Sequence, residues 1–416
     1  MPESPDSSLN PNLKPVPQIS LLLVLPFFYP HKGGSQKYAE EMYAKVVTKH
    51  SDVKVDVLCY DTDGTKIFYE RYRGMNVYRI PCWNLVPARL AFPKPLALIG
   101  TLIKLSKNKY THVNTHIRFF DPTWWLWFYA RIIGAKSIYT EHIPSHPQHS
   151  SWIVRNIGLL VDLTIAKFSL NMYDYLTSVN EASSLFLYNF YRIIKPVYLI
   201  RIGADTSFFT PNKTQERFAI TDKNGKEVTV NKGTLLITYL GRLIETKGVE
   251  IFFETTKEIL RTKQNLVFVI AGPGELEEEL AAKVEKEGLS NYIVLTGNLP
   301  YEEAAKLLTR TNIFVNPSHH NEGLPTTAIE AGSAECCVIA TDNGGTKELI
   351  INGKTGYLIK QRSPSELKSA LLDAIEHPEK RLSLAKALRR KVLEEYDWDK
   401  NSEDMYKFLI DPKNVR

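Results

Sequence analysis

Two apolar runs constrain this chain more than anything else in it. "ISLLLVLPFF" (19–28) and "TLLITYLGRL" (234–243) are each about ten residues long. Each opens a series in which short apolar runs alternate with helix-like stretches. In the first series "GGSQKYAEEMYAKVVTKH" (33–50) reads as a helix and "VKVDVLCY" (53–60) as a strand. "THVNTH" (111–116), "KSIYTEH" (136–142), "YLTSVN" (175–180) and "PVYLIRIG" (196–203) read as later strand ends. The second series has strands at 234–243, 266–274, 292–297, 312–318 and 336–341, with helices between them. Strands alternating with helices build a parallel sheet covered on both faces, so the expected class is α/β. Two such series predict two doubly wound, Rossmann-like domains facing across a cleft, where ligands bind at the carboxyl ends of the strands.

The boundaries follow from composition. Residues 1–18, rich in Pro, Ser and Asn, are expected to be disordered. Residues 19–205 form the first domain and 206–396 the second, with 397–416 crossing back onto the first. "DKNGKE" (222–227) carries an Asn-Gly hairpin signal near the connector. The run at 19–28 is preceded by one basic residue, Lys14, and reads as a buried strand rather than a signal peptide. No window reaches the roughly 18 apolar residues of a membrane span. Four cysteines without paired or metal-site spacing point to a reduced, cytoplasmic setting.

Charge is uneven. Residues 1–205 hold 23 Lys and Arg against 15 Asp and Glu, a net +8; the remainder holds 29 against 31, a net −2. A basic first half suits an anionic membrane surface or a phosphorylated acceptor, or is simply a solvated surface. "RFFDPTWWLWFYARIIGAK" (118–136) crowds seven aromatics into 119–130, and "SWIVRNIGLLVDLTIAKF" (151–168) reads as an amphipathic or buried helix. These are either core or a peripheral membrane contact. Nothing resembles a nucleic-acid recognition element, so no nucleic-acid partner is expected.

Four stretches carry candidate chemistry. In "SHHNEGLPTTAIE" (318–330), Glu322 precedes a helix that Pro325 can start, and Glu330 lies inside it. Gly323 admits close backbone approach, and a helix start attracts phosphate. Locally the two acids could also be ordinary surface residues. In "YLGRLIETKGVE" (239–250), Arg242 and Lys247 follow a strand ending at Gly241 and could neutralise a diphosphate, or be surface cations. Gly33-Gly34 sits between the first strand and first helix, as a phosphate loop or a plain turn. Gly344-Gly345 repeats that placement, with Glu348 in the following helix.

In order, these pieces resemble glycosyltransferase family 4, retaining enzymes of the GT-B fold that use nucleotide sugars. The resemblance spans residues 19–395 and rests on Gly33-Gly34, "IGADTSFFTP" (202–211), "GRLIETKG" (241–248), "AGPGE" (271–275), "PSHHNEGLPTTAIEAG" (317–332) and "ATDNGGTKELIINGKTG" (340–356). It implies that Glu322 lies by the donor sugar, that Glu330 binds the nucleotide ribose, and that Arg242 and Lys247 hold the diphosphate. Gly34 would approach the donor phosphates, and His116 would stand beside the reacting sugar, with His142 a weaker candidate. Gly33, Gly241, Gly272, Gly323, Leu324 and Pro325 complete the implied nucleotide-sugar site. The implied reaction moves a hexosyl group from a UDP or GDP sugar to a lipid-linked, glycan or other hydroxyl acceptor, with no cofactor and no metal. A sugar-phosphate synthase of the same fold, or a nucleotide-sugar-binding protein without catalysis, are the alternatives. The chain departs from the family at Ile202, where Asn is usual, and at Glu335 and Cys337, where Gly and Pro are usual before the next strand.

Overall fold

The computed structural model describes residues 19–31, 33–86, 90–146, 152–212, 217–319 and 323–415. Residues 1–18 and Glu322 lie outside the described residues.

The chain begins with β1 (Ile19–Val24), α1 (Gly34–Lys49) and β2 (Val53–Tyr60). Next come β3 (Tyr69–Tyr72), β4 (Met75–Ile80) and a separate hairpin of β5 (Cys82–Val86) and β6 (Leu90–Pro93). α2 (Pro95–Ser106), β7 (His112–His116), α3 (Pro122–Ile133) and β8 (Lys136–Glu141) follow. α4 (Trp152–Val161) runs through a π-helical turn, Asp162–Ala166, into α5 (Lys167–Met172). β9 (Tyr175–Ser178), α6 (Glu181–Tyr191) and β10 (Val197–Leu199) close the series.

The eight-stranded sheet runs β10-β9-β8-β7-β1-β2-β4-β3 and is parallel except for the β3–β4 pair. Leu21, Leu22, Leu23 and Val24 of β1 have no exposed surface. Helices cover both faces of this central strand, so its sequence is an unbroken apolar run rather than an alternating one. The strand order turns at β1 and β7. The chain leaving β1 reaches Gly33-Gly34, and β7 ends at His116, so both candidates sit at the switch point. The strands at 69–93 were not foreseen: "YERY" is polar and alternates exposed with half-buried positions, which gives no apolar run to read.

A hairpin of β11 (Phe218–Thr221) and β12 (Glu227–Val230) turns at Asn224-Gly225, with Gly225 at φ +85, as its Asn-Gly signal predicts. The second series is β13 (Leu235–Leu240), α7 (Val249–Leu260), β14 (Leu266–Ala271), α8 (Glu277–Lys286) and β15 (Ile293–Gly297). It continues with α9 (Tyr301–Arg310), β16 (Ile313–Asn316), α10 (Thr326–Ser333), β17 (Cys337–Thr341), α11 (Thr346–Leu349) and β18 (Tyr357–Ile359). α12 (Pro364–Glu376), α13 (Pro378–Glu395) and α14 (Trp398–Ile410) end the chain. This sheet is wholly parallel in the order β15-β14-β13-β16-β17-β18, switching at β13 and β16. The α/β class and the two doubly wound units are as the sequence predicts.

Two crossings join the units, and they lie together. Ala204 N donates to Tyr396 O (2.8 Å), and Trp398 N donates to Ala204 O (3.2 Å). A Cβ on Gly203 would stand 2.8 Å from Tyr396 O, so this crossing point needs glycine. Asp397 caps α14 by accepting from Asp399 N and Lys400 N. α14 then packs on α1: Lys45 Nζ donates to Asp399 Oδ1 at 3.1 Å, and the His50 and Tyr406 rings stack at 3.5 Å. Trp398, Met405 and Phe408 are buried here, each worth about 1.5–3 kcal/mol.

Candidate functional site

The second sheet supplies one wall of the cleft from the loops after β13, β14, β16 and β17. Gly241 ends the first of these, Arg242 is exposed, and Glu245–Lys247 forms a 3-10 turn. Gly248 closes the turn at φ +70, where a Cβ would stand 2.3 Å from Pro317 O. Gly272 is tighter: at φ +129, its Cβ would lie 2.0 Å from Gly241 O. The β13 and β14 loops therefore touch backbone to backbone, and both glycines have a steric reason to be there. The β16 and β17 loops are laced in turn. Asn343 Nδ2 donates to Ser318 O (2.6 Å), Thr341 Oγ1 donates to the same carbonyl, and His319 N donates to Thr246 O (3.0 Å).

α10 begins one residue later than the sequence predicts. Pro325 sits before the helix with extended backbone (φ −70, ψ 111), Leu324 is buried, and Thr326 is the first helical residue. Glu330 is 5% exposed within α10. Its Oε1 accepts from Lys37 Nζ at 2.7 Å, and Lys37 belongs to α1 of the other unit. Lys37 also stands 4.5 Å above the Tyr301 ring. Burial, followed by the Glu330 charge, pushes the Tyr301 phenol up. Sequence reading missed Lys37; the available signal was its place one turn into α1, directly after Gly33-Gly34.

The first sheet supplies the opposite wall. Gly33 precedes α1 and both it and Gly34 are exposed. A Cβ on Gly34 would meet nothing within 4 Å, so the helix start opens on free space. His116 does not open on the cleft in this way. It is fully buried, with Nε2 2.6 Å from Asn114 Oδ1 and Nδ1 3.2 Å from His142 Nε2. Tyr43 Oη donates to the same Asn114 oxygen (3.2 Å). Asn114 Nδ2 donates to Ile138 O and Thr140 Oγ1, which fixes its oxygen as the acceptor. His116 thus carries its proton on Nε2 and accepts at Nδ1 from His142. Burial holds both rings neutral: His142 is lowered to about 3, and His116 is lowered by burial and then by His142. His142 is the half-buried member of this pair and screens His116 from the cleft.

The two walls touch at one seam. A Cβ on Gly323 would lie 2.3 Å from His142 O, and one on Gly345 would lie 2.0 Å from Gly323 O. Glu348 reaches across to the start of α6, accepting from Glu181 N (2.7 Å) and Ala182 N (2.6 Å). Arg201 joins it at 3.3 Å. Burial raises the Glu348 pKa, against those hydrogen bonds. Together Gly323, Gly345, Glu348, Lys37 and Glu330 hold the units closed on each other.

Behind the first wall lies a buried ionic cluster. Arg118, with no exposed surface, donates to Glu141 Oε2 and Asp162 Oδ1 at 2.8 Å each. It also holds the carbonyls of Ile143 (3.2 Å) and Ser145 (2.5 Å), so it shapes the chain leaving β8. The aromatic stretch faces inward more than outward. Trp124 Nε1 donates to Arg118 O, Trp125 Nε1 to Asp121 Oδ2, and Trp127 Nε1 to Trp124 O.

Comparison with known proteins identifies the second wall. Residues 221–391 match the family described as Glycosyl transferases group 1. Over that stretch the second unit is similar to glycosyl transferases group 1 domains. Over the whole chain, an uncharacterized glycosyltransferase of Methanocaldococcus jannaschii is 23% identical, covering 94% of this chain and 98% of its own. The GDP-mannose-dependent alpha-(1-6)-phosphatidylinositol monomannoside mannosyltransferase of Mycolicibacterium smegmatis is 22% identical over 91% of this chain and 95% of its own. Among solved structures, sucrose-phosphate synthase from Thermosynechococcus elongatus superposes with a TM-score of 0.74 at 18% identity, covering 94% of this chain and 98% of that one. Anabaena HepE in complex with UDP superposes at 0.71 and 15% identity, covering 94% and 99%. The architecture is GT-B, as the sequence resemblance implies.

Proposed function

We propose that this protein is a retaining, family 4 glycosyltransferase. It moves a hexosyl group from a UDP or GDP sugar to a hydroxyl acceptor, which is lipid-linked or part of a glycan. The observation that carries this reading is the placement of Glu330. This buried carboxylate of the second unit faces α1 of the other unit, in the cleft onto which Gly34 opens. Its position suits a ribose hydroxyl. Arg242 and Lys247 lie on the same wall and suit the diphosphate. UDP bound to the structural neighbour HepE, and the phosphatidylinositol monomannoside in the name of the mycobacterial relative, fit the same reading.

In the proposed step, the bond between the anomeric carbon and the diphosphate oxygen breaks. The acceptor oxygen bonds to the same face of the sugar, and its proton leaves with the diphosphate. Arg242, Lys247 and the helix starts stabilise the departing charge, with no cofactor and no metal assigned to that role. Glu322 is assigned to the donor sugar. His142, with His116 behind it, is assigned to the sugar side of the cleft, holding a neutral imidazole there. A basic first unit also suits a phosphorylated sugar acceptor, as in the sugar-phosphate synthase alternative.

Thermal-shift screening of UDP, GDP and their sugars tests the donor assignment, since a ligand that binds the native state raises its apparent stability. A shift with one nucleoside diphosphate that Glu330→Ala reduces is the expected result. No shift with any of them would overturn the reading.

A further inference from the structure

The outer helices of the first sheet form one layer with an unusual surface. α2 and α3 enclose a groove of about 550 Å³ whose walls include Ile99, Ile103, Tyr129 and Ile132. α3 lies against α5: the Trp127 and Phe168 rings meet edge-on at 5.8 Å, and Arg131 Nη2 donates to Met172 O at 3.0 Å. Large apolar side chains project from this layer. Leu96 is 87% exposed, Trp152 67% and Ile132 66%, and Ile103, Leu160 and Phe168 are each more than half exposed. On α2 they fall at 96, 99 and 103, which is one stripe of the helix.

The charges on this layer have one sign. Residues 94–172 contain three acids, Asp121, Glu141 and Asp162, and all three are buried. The same stretch contains nine lysines and arginines, of which Arg118 alone is buried. The remaining eight are exposed, Lys104, Lys107, Lys109 and Arg131 among them. The acids have been drawn into the core: Asp121 accepts from Tyr60 Oη, and Glu141 and Asp162 hold Arg118. The outer face is left with apolar side chains and cations.

That combination selects among occupants. A second copy of this face would set cations against cations. An anionic bilayer satisfies both features at once, with apolar side chains entering the acyl boundary and lysine and arginine heads meeting lipid phosphates. We propose that the α2, α3 and Trp152–Met172 layer docks this protein on an anionic lipid surface. The contact is interfacial, since no described helix is long and apolar enough to cross a membrane. It does not use the indoles of Trp124, Trp125 and Trp127, which are engaged within the fold. α3 follows His116, and α4 follows the chain leaving β8, so both helices start at the cleft end of the sheet. Docking by this layer therefore brings the cleft rim to the lipid headgroups, where a lipid-linked acceptor would be presented. That last consequence rests on the transferase reading; the docking itself does not.

The test is co-sedimentation of the full chain with vesicles of phosphatidylcholine alone and of phosphatidylcholine mixed with phosphatidylglycerol, at low and high salt. The triple variant Leu96→Glu, Ile103→Glu, Ile132→Glu removes apolar insertion, and Lys104→Glu with Lys107→Glu reverses charge. All five side chains are exposed, so both variants should melt with the wild type. Expected are binding to the anionic vesicles, little to the neutral ones, and a loss of at least about tenfold in each variant. High salt should weaken wild-type binding. Absence of binding to anionic vesicles, or equal binding by the triple variant, overturns the proposal. So does concentration-dependent dimerisation abolished by the triple variant, which would make a second copy the occupant. A nucleotide thermal shift measured in parallel separates the two readings: a shift without vesicle binding sinks the docking alone, and vesicle binding without a shift sinks the transfer alone.

Discussion

The two units are nearly equal in length and share a winding, yet they differ in their surfaces and in the glycines of the loops after their first strands. Among the described residues, twenty-one of the exposed large hydrophobic side chains lie in 19–205 and six in 206–396. The second unit covers itself with paired charges, such as Lys283–Glu279 and Lys368–Glu258. Its strand-end glycines, Gly248, Gly272 and Gly274, are each pressed against backbone. In the first unit Gly34, which follows β1 at the start of α1, meets nothing within 4 Å, while Gly203 at the crossing is pressed against Tyr396 O. The second unit is therefore tightly packed at its strand-end loops, and the first is open at Gly34 and apolar outside. A donor wall of fixed geometry facing a first unit that docks and admits varied acceptors would show this asymmetry.

The strongest way to break the comparison is at the glycines. Gly272→Ala must relieve a 2.0 Å approach to Gly241 O at φ +129, and should destabilise the second unit by about 3 kcal/mol or more. Gly34→Ala should leave stability within about 0.5 kcal/mol. Urea melts of the two variants compare them directly; equal losses would dissolve the contrast. At the proposed donor wall, Arg242→Ala and Lys247→Ala should each lower kcat by about 10²–10³. Wild-type transfer rates in either would remove that cation from the assigned role.

A smaller effect separates the units by pH. His142 is lowered to about 3 from 6.5, and His116 moves in the same direction. The unfolded chain then binds more protons between those values, so stability is lost as pH falls below about 6.5. Asp121, raised by burial to about 6 from 3.8, works the other way between those values. His112, lowered by burial to about 4, adds to the two, and three histidines against one carboxyl leave a net loss in the first unit. Melts at about pH 7.5 and about pH 5 should differ less in His142→Phe than in the wild type. The smallest change expected is a gain. Glu335 adopts φ +57 at the end of α10, the position where the related family usually has glycine. Glu335→Gly should stabilise the second unit by about 1 kcal/mol, read as a higher melting temperature.

These particulars also show what the sequence could carry. The apolar runs located the central strands of both sheets because central parallel strands are buried on both faces and need no alternation. β3, β5, β6 and β18 escaped notice because they are short and at or beyond a sheet edge, and β4 because polar residues interrupt its apolar positions. Glu330, Arg242, Lys247 and the glycines were legible through local motif and strand-end placement. Lys37 was not, since its significance comes from Glu330, 293 residues away. His116 was legible as a residue but not in its setting: only the fold shows Asn114 and His142 engaging both its nitrogens. The aromatic run at 119–130, open in the sequence between core and surface, turns its three indoles into the fold and leaves Phe128 exposed. The exposed apolar surface of this layer comes from α2, Phe128, Ile132 and the Trp152–Met172 helix.

The central claim is that the second unit's wall holds a nucleoside diphosphate through Glu330, in a cleft that Lys37 closes from the other side. Calorimetric titration of UDP and of GDP into the wild type, Glu330→Ala and Lys37→Ala measures this directly. The account predicts saturable one-site binding of one nucleotide to the wild type. It predicts a loss of about ten- to a hundredfold in Glu330→Ala, the size expected for a hydrogen bond to a charged group. It predicts retained binding in Lys37→Ala, where the carboxylate is freed for the ribose. Equal affinity in the wild type and Glu330→Ala, or no binding of either nucleotide, would contradict it.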